Sequence, residues 1–323
     1  MILILSSKTD EITTSVQEWL NYFGVESKVV YLNDELQFNY ANNGDLFLLH
    51  NGNEIKFSEI SGFWHRTAFH TFEGSYKHKT AFIQSIGNNA LVKTVNRWLE
   101  VEERKLFKLM SVFASKLNHL STPANYDINR VEVLISAKDL GLKVPDWIIS
   151  TNKSYLEEFY LKNKAIITKP IGWNVFFNIE NNTYILYTKE IKKDMLEAIP
   201  DVFPPSFFQK LINKKLEIRI FFLIDRFYCM AYYPLTQNVN VDLRLESGSL
   251  NVREIPFILP VNIRKKLVKL LDVFKLKTAS IDMIYGDDNE YYFLEINPTG
   301  QFSYLNNKCN YHLDEKIAKF LNA

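Results

Sequence analysis

Asp282, Glu295 and Asn297 are three oxygen-bearing side chains placed close together near the end of a 323-residue chain. They fall in residues 278–302, which read as two strands joined by a turn. Apolar and aromatic residues fill 281–285 and 291–296, and Gly286-Asp287-Asp288-Asn289 between them is turn chemistry. Side chains alternate faces along a strand, so Glu295 and Asn297 share a face. A symmetric four-residue turn pairs Tyr285 with Glu290 and Asp282 with Phe293. Asp282 then lies diagonal to Glu295 on the same face, roughly 7–8 Å away. Two carboxylates at that spacing suit a hard cation whose other ligands come from phosphates. A carboxylate inside an apolar strand is costly to bury without such a partner. A half-exposed hairpin with an acidic solvent face explains the same residues without a metal, and residue types alone leave the two readings balanced.

Other candidate groups are spread along the chain and need a fold to gather them. Lys169 ends the apolar run Ala165-Ile166-Ile167-Thr168. A lysine there can reach nucleotide phosphates as a mobile point charge or serve as a solvated strand end. Glu217 and Arg219 share one face of a strand, with Leu216, Ile218 and Ile220 on the other; an ion pair across that face accounts for both. Arg66 closes Phe63-Trp64-His65-Arg66 and is either a substrate or phosphate contact or a structural ion pair. His65, His70 and His78 lack metal-ligand spacing and read as surface or core residues. Arg264, Lys265, Lys266 and Lys269 read as the solvated face of an amphipathic helix.

The elements that must position these groups are legible as patterns. Strand 2–5, helix 10–23 and strand 29–32 form an α/β opening. It has no GxGxxG turn, so dinucleotide binding is not supported. Asn51-Gly52 joins strands 45–50 and 54–57 as a hairpin. Helical periodicity runs over 79–117, and over 126–140 from a cap at Asp127 or Asn129 to Gly141. Leu120-Ser121-Thr122-Pro123 between them reads as a domain crossing. Strand 147–150, a helix from Asn152 or Ser154 to Leu161, strand 165–169 and strand 184–187 follow. Residues 189–196 read as a short helix or loop ended by Pro204-Pro205. Strands 216–223 and 227–233, a loop with Asp242 and Arg244, helix 262–271, the hairpin and helix 313–321 complete the chain.

The composition is that of a globular protein, 47% hydrophobic and 23% charged, long enough for two or three subdomains. A formal charge of +1 gives no global electrostatic case for nucleic acid or an anionic membrane. The two cysteines, Cys229 and Cys309, form no CxxC and read as reduced thiols of a cytoplasmic protein. The opening MILILSS is not a signal peptide, and no apolar run reaches membrane-span length. No Ser-His-Asp or Cys-His constellation is evident.

Several stretches, taken in order, resemble the ATP-grasp ligases. They are ITKP at 167–170, FQKLI at 208–212, EIR at 217–219, DLR at 242–244, SIDM at 280–283 and LEINPTGQF at 294–302. NRVEVLISAKDLGLKVP at 129–145 is similar to that family's helix before the central domain, and Trp64-His65-Arg66 resembles a Trp-x-Arg-Arg-Pro stretch of its peptide-modifying branch, the graspetide or microviridin-type macrocyclases. The resemblance implies an α/β (α+β) ATP-grasp fold. Its expected parts are an N-terminal α/β domain (1–120), a central subdomain (121–205) and a C-terminal subdomain (206–323). It implies ATP and Mg2+, with Asp282, Glu295 and Asn297 as the metal ligands. Lys169 would contact the α/β-phosphates, Gln209, Lys210, Leu211 and Ile212 would form the hinge whose backbone receives adenine, and Glu217 would bind ribose. Arg219 and Arg244 would be catalytic at the γ-phosphate and acyl phosphate. Arg130 stands where many relatives carry a second phosphate lysine. The glycine-rich loop over the phosphates is reduced to Ile171-Gly172-Trp173-Asn174, and His65 and Thr67 depart from the Arg-Arg-Pro stretch.

The implied reaction joins an Asp or Glu side chain of a ribosomal precursor peptide to a Thr, Ser or Lys of the same peptide, as an ester or amide, through an acyl phosphate. The implied partner is that peptide, leader and core, and a homodimer is one assembly open to the enzyme. The charged stretch 189–201, with Glu190, Asp194 and Glu197, is either a leader-binding surface or an exposed charged loop. Two other readings stand beside this one: a ligase adding a free amino acid such as glutamate to a protein or small molecule, and a non-catalytic peptide-binding homologue.

Overall fold

The computed structural model describes residues 1–31, 34, 36–40, 44, 46–66, 89–126, 128–172, 176–179, 182–185, 188–235 and 251–323. The chain opens with β1 (Ile2–Ser6), α1 (Glu11–Tyr22) and β2 (Ser27–Tyr31). A three-stranded antiparallel sheet of β3 (Leu36–Tyr40), β4 (Leu46–His50) and β5 (Asn53–Lys56) follows. The Asn51-Gly52 turn has φ of 49° and 81°, the left-handed pair that a two-residue hairpin needs. The chain then forms β6 (Gly62–His65), α2 (Asn89–Ala114) and β7 (Asn118–His119). β1 is fully buried and pairs in parallel with β2 and β6, giving the order β2-β1-β6-β7. A parallel strand covered on both faces carries an unbroken apolar run, which is why Ile2-Leu3-Ile4-Leu5 does not alternate.

Next come α3 (Arg130–Asp139), β8 (Trp147–Asn152), α4 (Lys153–Asn163) and β9 (Ile166–Lys169). Asn129 caps α3 by accepting the Val131 and Glu132 N–H groups, and Asn152 caps α4 through Ser154. The β10 (Phe176–Ile179) and β11 (Asn182–Ile185) hairpin, β12 (Lys189–Ile191), α5 (Lys193–Ala198) and β13 (Val202–Lys210) complete this part, with sheet order β12-β9-β13-β8. Pro204 and Pro205, expected to end an element, lie inside β13. The ladder shifts register there between Val202 and Ser206, the kind of break at which a residue without an N–H is tolerated. The boundary expected at 205/206 therefore cuts a strand.

The last part has β14 (Lys214–Leu223), β15 (Arg226–Pro234), β16 (Val252–Phe257), α6 (Val261–Val273), β17 (Thr278–Gly286) and β18 (Tyr291–Asn297). α7 (Ser303–Cys309) and α8 (Leu313–Leu321) follow. The five strands are antiparallel in the order β16-β15-β14-β17-β18. Ile218, Ile220, Ile281, Met283 and Phe293 on one face pack against α3 and α6. On the other face, Phe221, Leu223 and Met230 join Ile2, Ile4 and Leu20 of the N-terminal sheet and helix in a single core. α8 closes that core with Leu313, Ile317 and Leu321 at helical spacing, each contributing about 1.5–3 kcal/mol on burial. Gly62 on β6 meets the Leu321 carbonyl so closely that an added Cβ would lie 2.7 Å from it. The end of the chain is thus locked onto its beginning. No helix among the described residues is long and apolar enough to cross a membrane.

Candidate active site

The site lies in a cleft between the central sheet and the C-terminal sheet. Period-two alternation supplies both walls. In β9 and β13, Phe208 and Ile166 face α4 and α5, so their neighbours Ile167, Lys169 and Gln209 turn to the cleft. In β14, Ile218 and Ile220 face α3 and α6, so Glu217 and Arg219 turn to the other side. Along that same face the strand continues into Phe221, which is buried against Phe302 with ring centroids 4.4 Å apart.

Asp282, Glu295 and Arg219 form one row across three strands: Arg219 pairs with Asp282, and Asp282 pairs with Glu295. Asn297 pairs with Ser280 one step along. The diagonal register expected for Asp282 and Glu295 is corrected here: they are direct cross-strand partners, and Tyr285 pairs with Tyr291. Two local features cause the difference. The turn is closed by the Gly286 N–H to the Glu290 carbonyl at 2.9 Å, with Asn289 at φ 64°, which takes Glu290 out of the ladder. The ladder then shifts between Asp282 and Met283, so Leu294 is an extra residue on β18. The shift brings the two carboxylates closer than the diagonal placement would, to about the 4.5–5.5 Å Cβ spacing of facing residues.

Each acidic group in the cleft is met by a cation. Arg219 Nη1 donates to Asp282 Oδ1. Glu295 Oε2 lies 3.6 Å from Lys169 Nζ and 3.4 Å from Arg130 Nη2. Arg130 is the first residue of α3 and also donates to the Pro170 carbonyl beside Lys169. Glu217 accepts from Lys214 Nζ at 2.9 Å. Glu217 and Arg219 are thus bound to different neighbours, not simply paired along their strand. Lys214 escaped the sequence reading because its spacing from Glu217 puts them on opposite faces of a regular strand. A register shift between Lys214 and Leu216 brings it round. Burial pushes the Lys169 ammonium below the ordinary lysine range, opposed by Glu295. Cys229 is buried and its thiol is pushed up to about 12, so it supplies no thiolate.

Gln209 to Ile212, expected to form the hinge, run from the end of β13 into the link to β14, and part of their backbone is already bonded. The Lys210 N–H donates to the Asp146 carbonyl at 2.8 Å and the Leu211 N–H to the Ala165 carbonyl at 3.0 Å. Gln209 adds something its position in the motif did not announce. It is 1% exposed, lines the cleft, and among the described residues has no hydrogen-bond partner for either Oε1 or Nε2. Buried amides are almost always satisfied. A flat heterocycle carrying both a donor and an acceptor edge would satisfy this one.

Among the described residues, no group of three or more His, Cys, Asp and Glu is placed to hold a metal. Two carboxylates and one amide oxygen are a hard-oxygen set that suits Mg2+ sharing its shell with phosphates. Arg66 is a structural ion pair: its guanidinium and Asp10 are each 2% exposed and 3.2 Å apart, outside the cleft. His65 is buried. Arg244 and Asp242, His70 and His78, and Trp173 and Asn174 lie outside the described residues. Gly172 is exposed. Glu190 on β12, the cross-strand partner of the cleft residue Ile167, and Asp194 and Glu197 on α5 are not among the residues lining the cleft.

No family model matches the sequence, and no curated protein matches it. Solved structures do match in fold. A RiPP-associated ATP-grasp ligase from Chryseobacterium gregarium, in complex with ADP and a leader and core peptide, aligns with a TM-score of 0.81 at 23% identity, over 99% of this chain and 96% of that one. The macrocyclase MdnC from Microcystis aeruginosa MRC, bound with precursor peptide MdnA, aligns at 0.80 and 21% identity, over 100% and 99%. The ATP-grasp ligase PsnB, complexed with minimal precursor, Mg and ADP, aligns at 0.71 and 16% identity, over 99% and 96%. The chain has the α/β ATP-grasp fold of these proteins along essentially its whole length.

Proposed function

We propose that the protein is an ATP-dependent ligase that joins side chains of a ribosomally made precursor peptide by ω-ester or ω-amide crosslinks. The observation that carries this is the row Arg219–Asp282–Glu295, flanked by Lys169 and Arg130 and continued into a hinge whose Gln209 amide has no partner among the described residues. Acids suited to a cation, bases suited to phosphates and an orphan amide suited to a heterocycle occur in the order of a metal-bound nucleotide. The fold it shares with ligases solved with ADP and peptides supports the same reading. On this reading the chain divides into an N-terminal part to about residue 120, a central part through β13, and a C-terminal part from the hinge onward.

The chemistry follows from charge. A carboxylate is a poor electrophile; phosphorylation by ATP gives an acyl phosphate, with ADP released. A hydroxyl or amine of the same peptide attacks the acyl carbon, phosphate leaves, and the attacking group gives up its proton. Asp282, Glu295 and Asn297 would hold Mg2+, which neutralises phosphate charge when bound. Lys169 and Arg130 hold the phosphates, and Arg219 supplies positive charge where the acyl phosphate forms. Arg244 is assigned to the same task by the motif. Glu217, steadied by Lys214, accepts the ribose hydroxyls, and Gln209 with the hinge reads adenine. The enzyme contributes no nucleophile of its own.

The test is Mg2+-dependent ADP release with a candidate precursor peptide, together with the mass of the product. Loss of one water per crosslink is expected. Gain of an amino-acid mass would replace this reading with addition of a free amino acid. Peptide binding without ADP release would replace it with a non-catalytic binding module.

A further inference from the structure

The buried pair at Arg66 reaches further than a structural ion pair needs to. Nη1 donates to the Thr299 carbonyl at 2.6 Å, and Nη2 donates to Gln301 Oε1 at 2.6 Å. The Gln301 amide in turn donates to Asp10 Oδ1 at 3.2 Å, and Asp10 is fixed by the Thr13 hydroxyl at 2.8 Å. Thr299 and Gln301 belong to the turn that follows Asn297. The Thr299 N–H donates to Asn297 Oδ1 at 3.0 Å, and the Gly300 N–H donates to the Asn297 carbonyl at 3.1 Å. The Gln301 carbonyl accepts from Ser280 Oγ at 3.3 Å and from Arg219 Nη2 at 3.4 Å. The turn also lies hard on β17: a Cβ added at Gly300 would be 2.3 Å from the Ser280 side chain. One guanidinium at the end of β6 is therefore connected, through a single turn, to Asn297 and to Arg219.

Burying such a pair is not in itself a gain in stability, because desolvation offsets the attraction. What a guanidinium supplies is a rigid planar fork that holds several acceptors in fixed relation, which a lysine cannot reproduce. We infer that Arg66, held by Asp10, is a positioning residue for the nucleotide site. It pins the Thr299 carbonyl and the Gln301 side chain so that the turn presents the Asn297 side-chain oxygen beside Glu295 and keeps Arg219 over Asp282. The N-terminal domain thereby sets the geometry of a cation site to which it gives no ligand. This rests on the reading of Asp282, Glu295 and Asn297 given under Proposed function.

The experiment compares the unmodified protein with Arg66→Lys, with the charge-balanced double variant Arg66→Met/Asp10→Asn, and with Gln301→Met at an exposed position. Two quantities are read: amide hydrogen exchange over residues 298–302 without ligand, and ADP affinity with and without Mg2+. In Arg66→Lys we expect exchange of that turn to quicken about tenfold. We also expect the Mg2+-dependent tightening of ADP to fall about fivefold, while ADP affinity in EDTA stays within about twofold, since the hinge lies elsewhere. Gln301→Met should move both readouts the same way by less, and keeps the test alive if the Arg66 variants do not fold. Unchanged exchange, or equal weakening of ADP with and without Mg2+, overturns the inference. If Mg2+ does not tighten ADP on the unmodified protein, the functional reading fails instead, and the exchange measurement still decides whether Arg66 holds the turn.

Discussion

Arg66–Asp10 and Arg219–Asp282 pair the same two residue types in two different settings. In the first, both side chains are 2% exposed, and the other guanidinium nitrogens end on protein oxygens in the Pro298–Gln301 turn. In the second, Arg219 is 15% exposed at the side chain and Asp282 lines an open cleft. The first pair is a fixture; the second can exchange partners. The same holds for Glu295 with Lys169 and Arg130, and for Glu217 with Lys214. Without ligand the cleft neutralises itself. On the proposed reading, a cation arriving with phosphates would let carboxylates move to the cation and bases move to the phosphates. Either alone breaks pairs without replacing both halves, so metal and nucleotide should each tighten the other by the same factor.

The strongest way to break this comparison is to remove the exchangeable acids. Asp282→Ala with Glu295→Ala should lower Mg2+-dependent ADP release by on the order of 10³-fold or more, in line with losing preorganised charge at a reacting phosphate. Turnover that survives the double change would sink the metal assignment. Next in size is the contrast between the two arginines. Arg66→Met leaves Asp10 buried and unpaired, which should cost about 3–5 kcal/mol of stability, whereas the double variant with Asp10→Asn recovers most of it. Arg219→Met should cost well under half as much, since the cleft admits water to Asp282. Mg2+ alone should raise the thermal midpoint of Arg219→Met more than that of the unmodified protein, because the competing guanidinium is gone. Equal losses for the two arginines in urea melts would erase the distinction.

The sequence displayed most of the charged groups of the cleft but not their pairings, and it concealed the partners of the fixture, for a physical reason. Groups that sit in local patterns were legible: Asn129 and Asn152 as caps, Asn51-Gly52 as a turn, Lys169 at a strand end, Glu217 and Arg219 on one strand face. Arg66 was visible as an arginine at a strand end, but its partner Asp10 is 56 positions away and its turn 233, a separation that no local spacing encodes. The hairpin register failed for a smaller reason. The extra residue Leu294 is apolar like its neighbours and does not advertise a bulge. The short strands β3 and β16 and helix α7 were missed because too few residues repeat the pattern. Lys214 was hidden by the shift that turns it toward Glu217. Motif resemblance named most of the remaining candidates; the state of the Gln209 amide, without a partner among the described residues, and the occupied N–H groups of Lys210 and Leu211 needed coordinates.

A smaller effect separates the hinge from both sets of pairs. Gln209→Leu removes an amide that has no partner among the described residues. ADP binding should weaken about tenfold, one or two hydrogen bonds' worth, while the protein without ligand should become more stable by about 1 kcal/mol, because an unsatisfied buried amide is a cost. A variant that loses stability along with affinity would mean that the amide has a structural partner after all.

The smallest effect concerns a pair belonging to neither group. Asp34 accepts from His50 at 2.7 Å and from the Tyr31 N–H at 2.9 Å, with Lys8 at 3.8 Å. Burial pushes its carboxyl up, but Tyr31, His50 and Lys8 together outweigh burial and hold it below the usual carboxylate range. A depressed folded value stabilises the fold above the unfolded value of about 3.9, and that contribution is lost as pH falls through the folded value. Asp34→Asn should therefore lower the thermal midpoint by a small, constant amount from about pH 5 upward, and the gap to the unmodified protein should close below about pH 4. A gap that stayed constant into acid would assign the loss to packing.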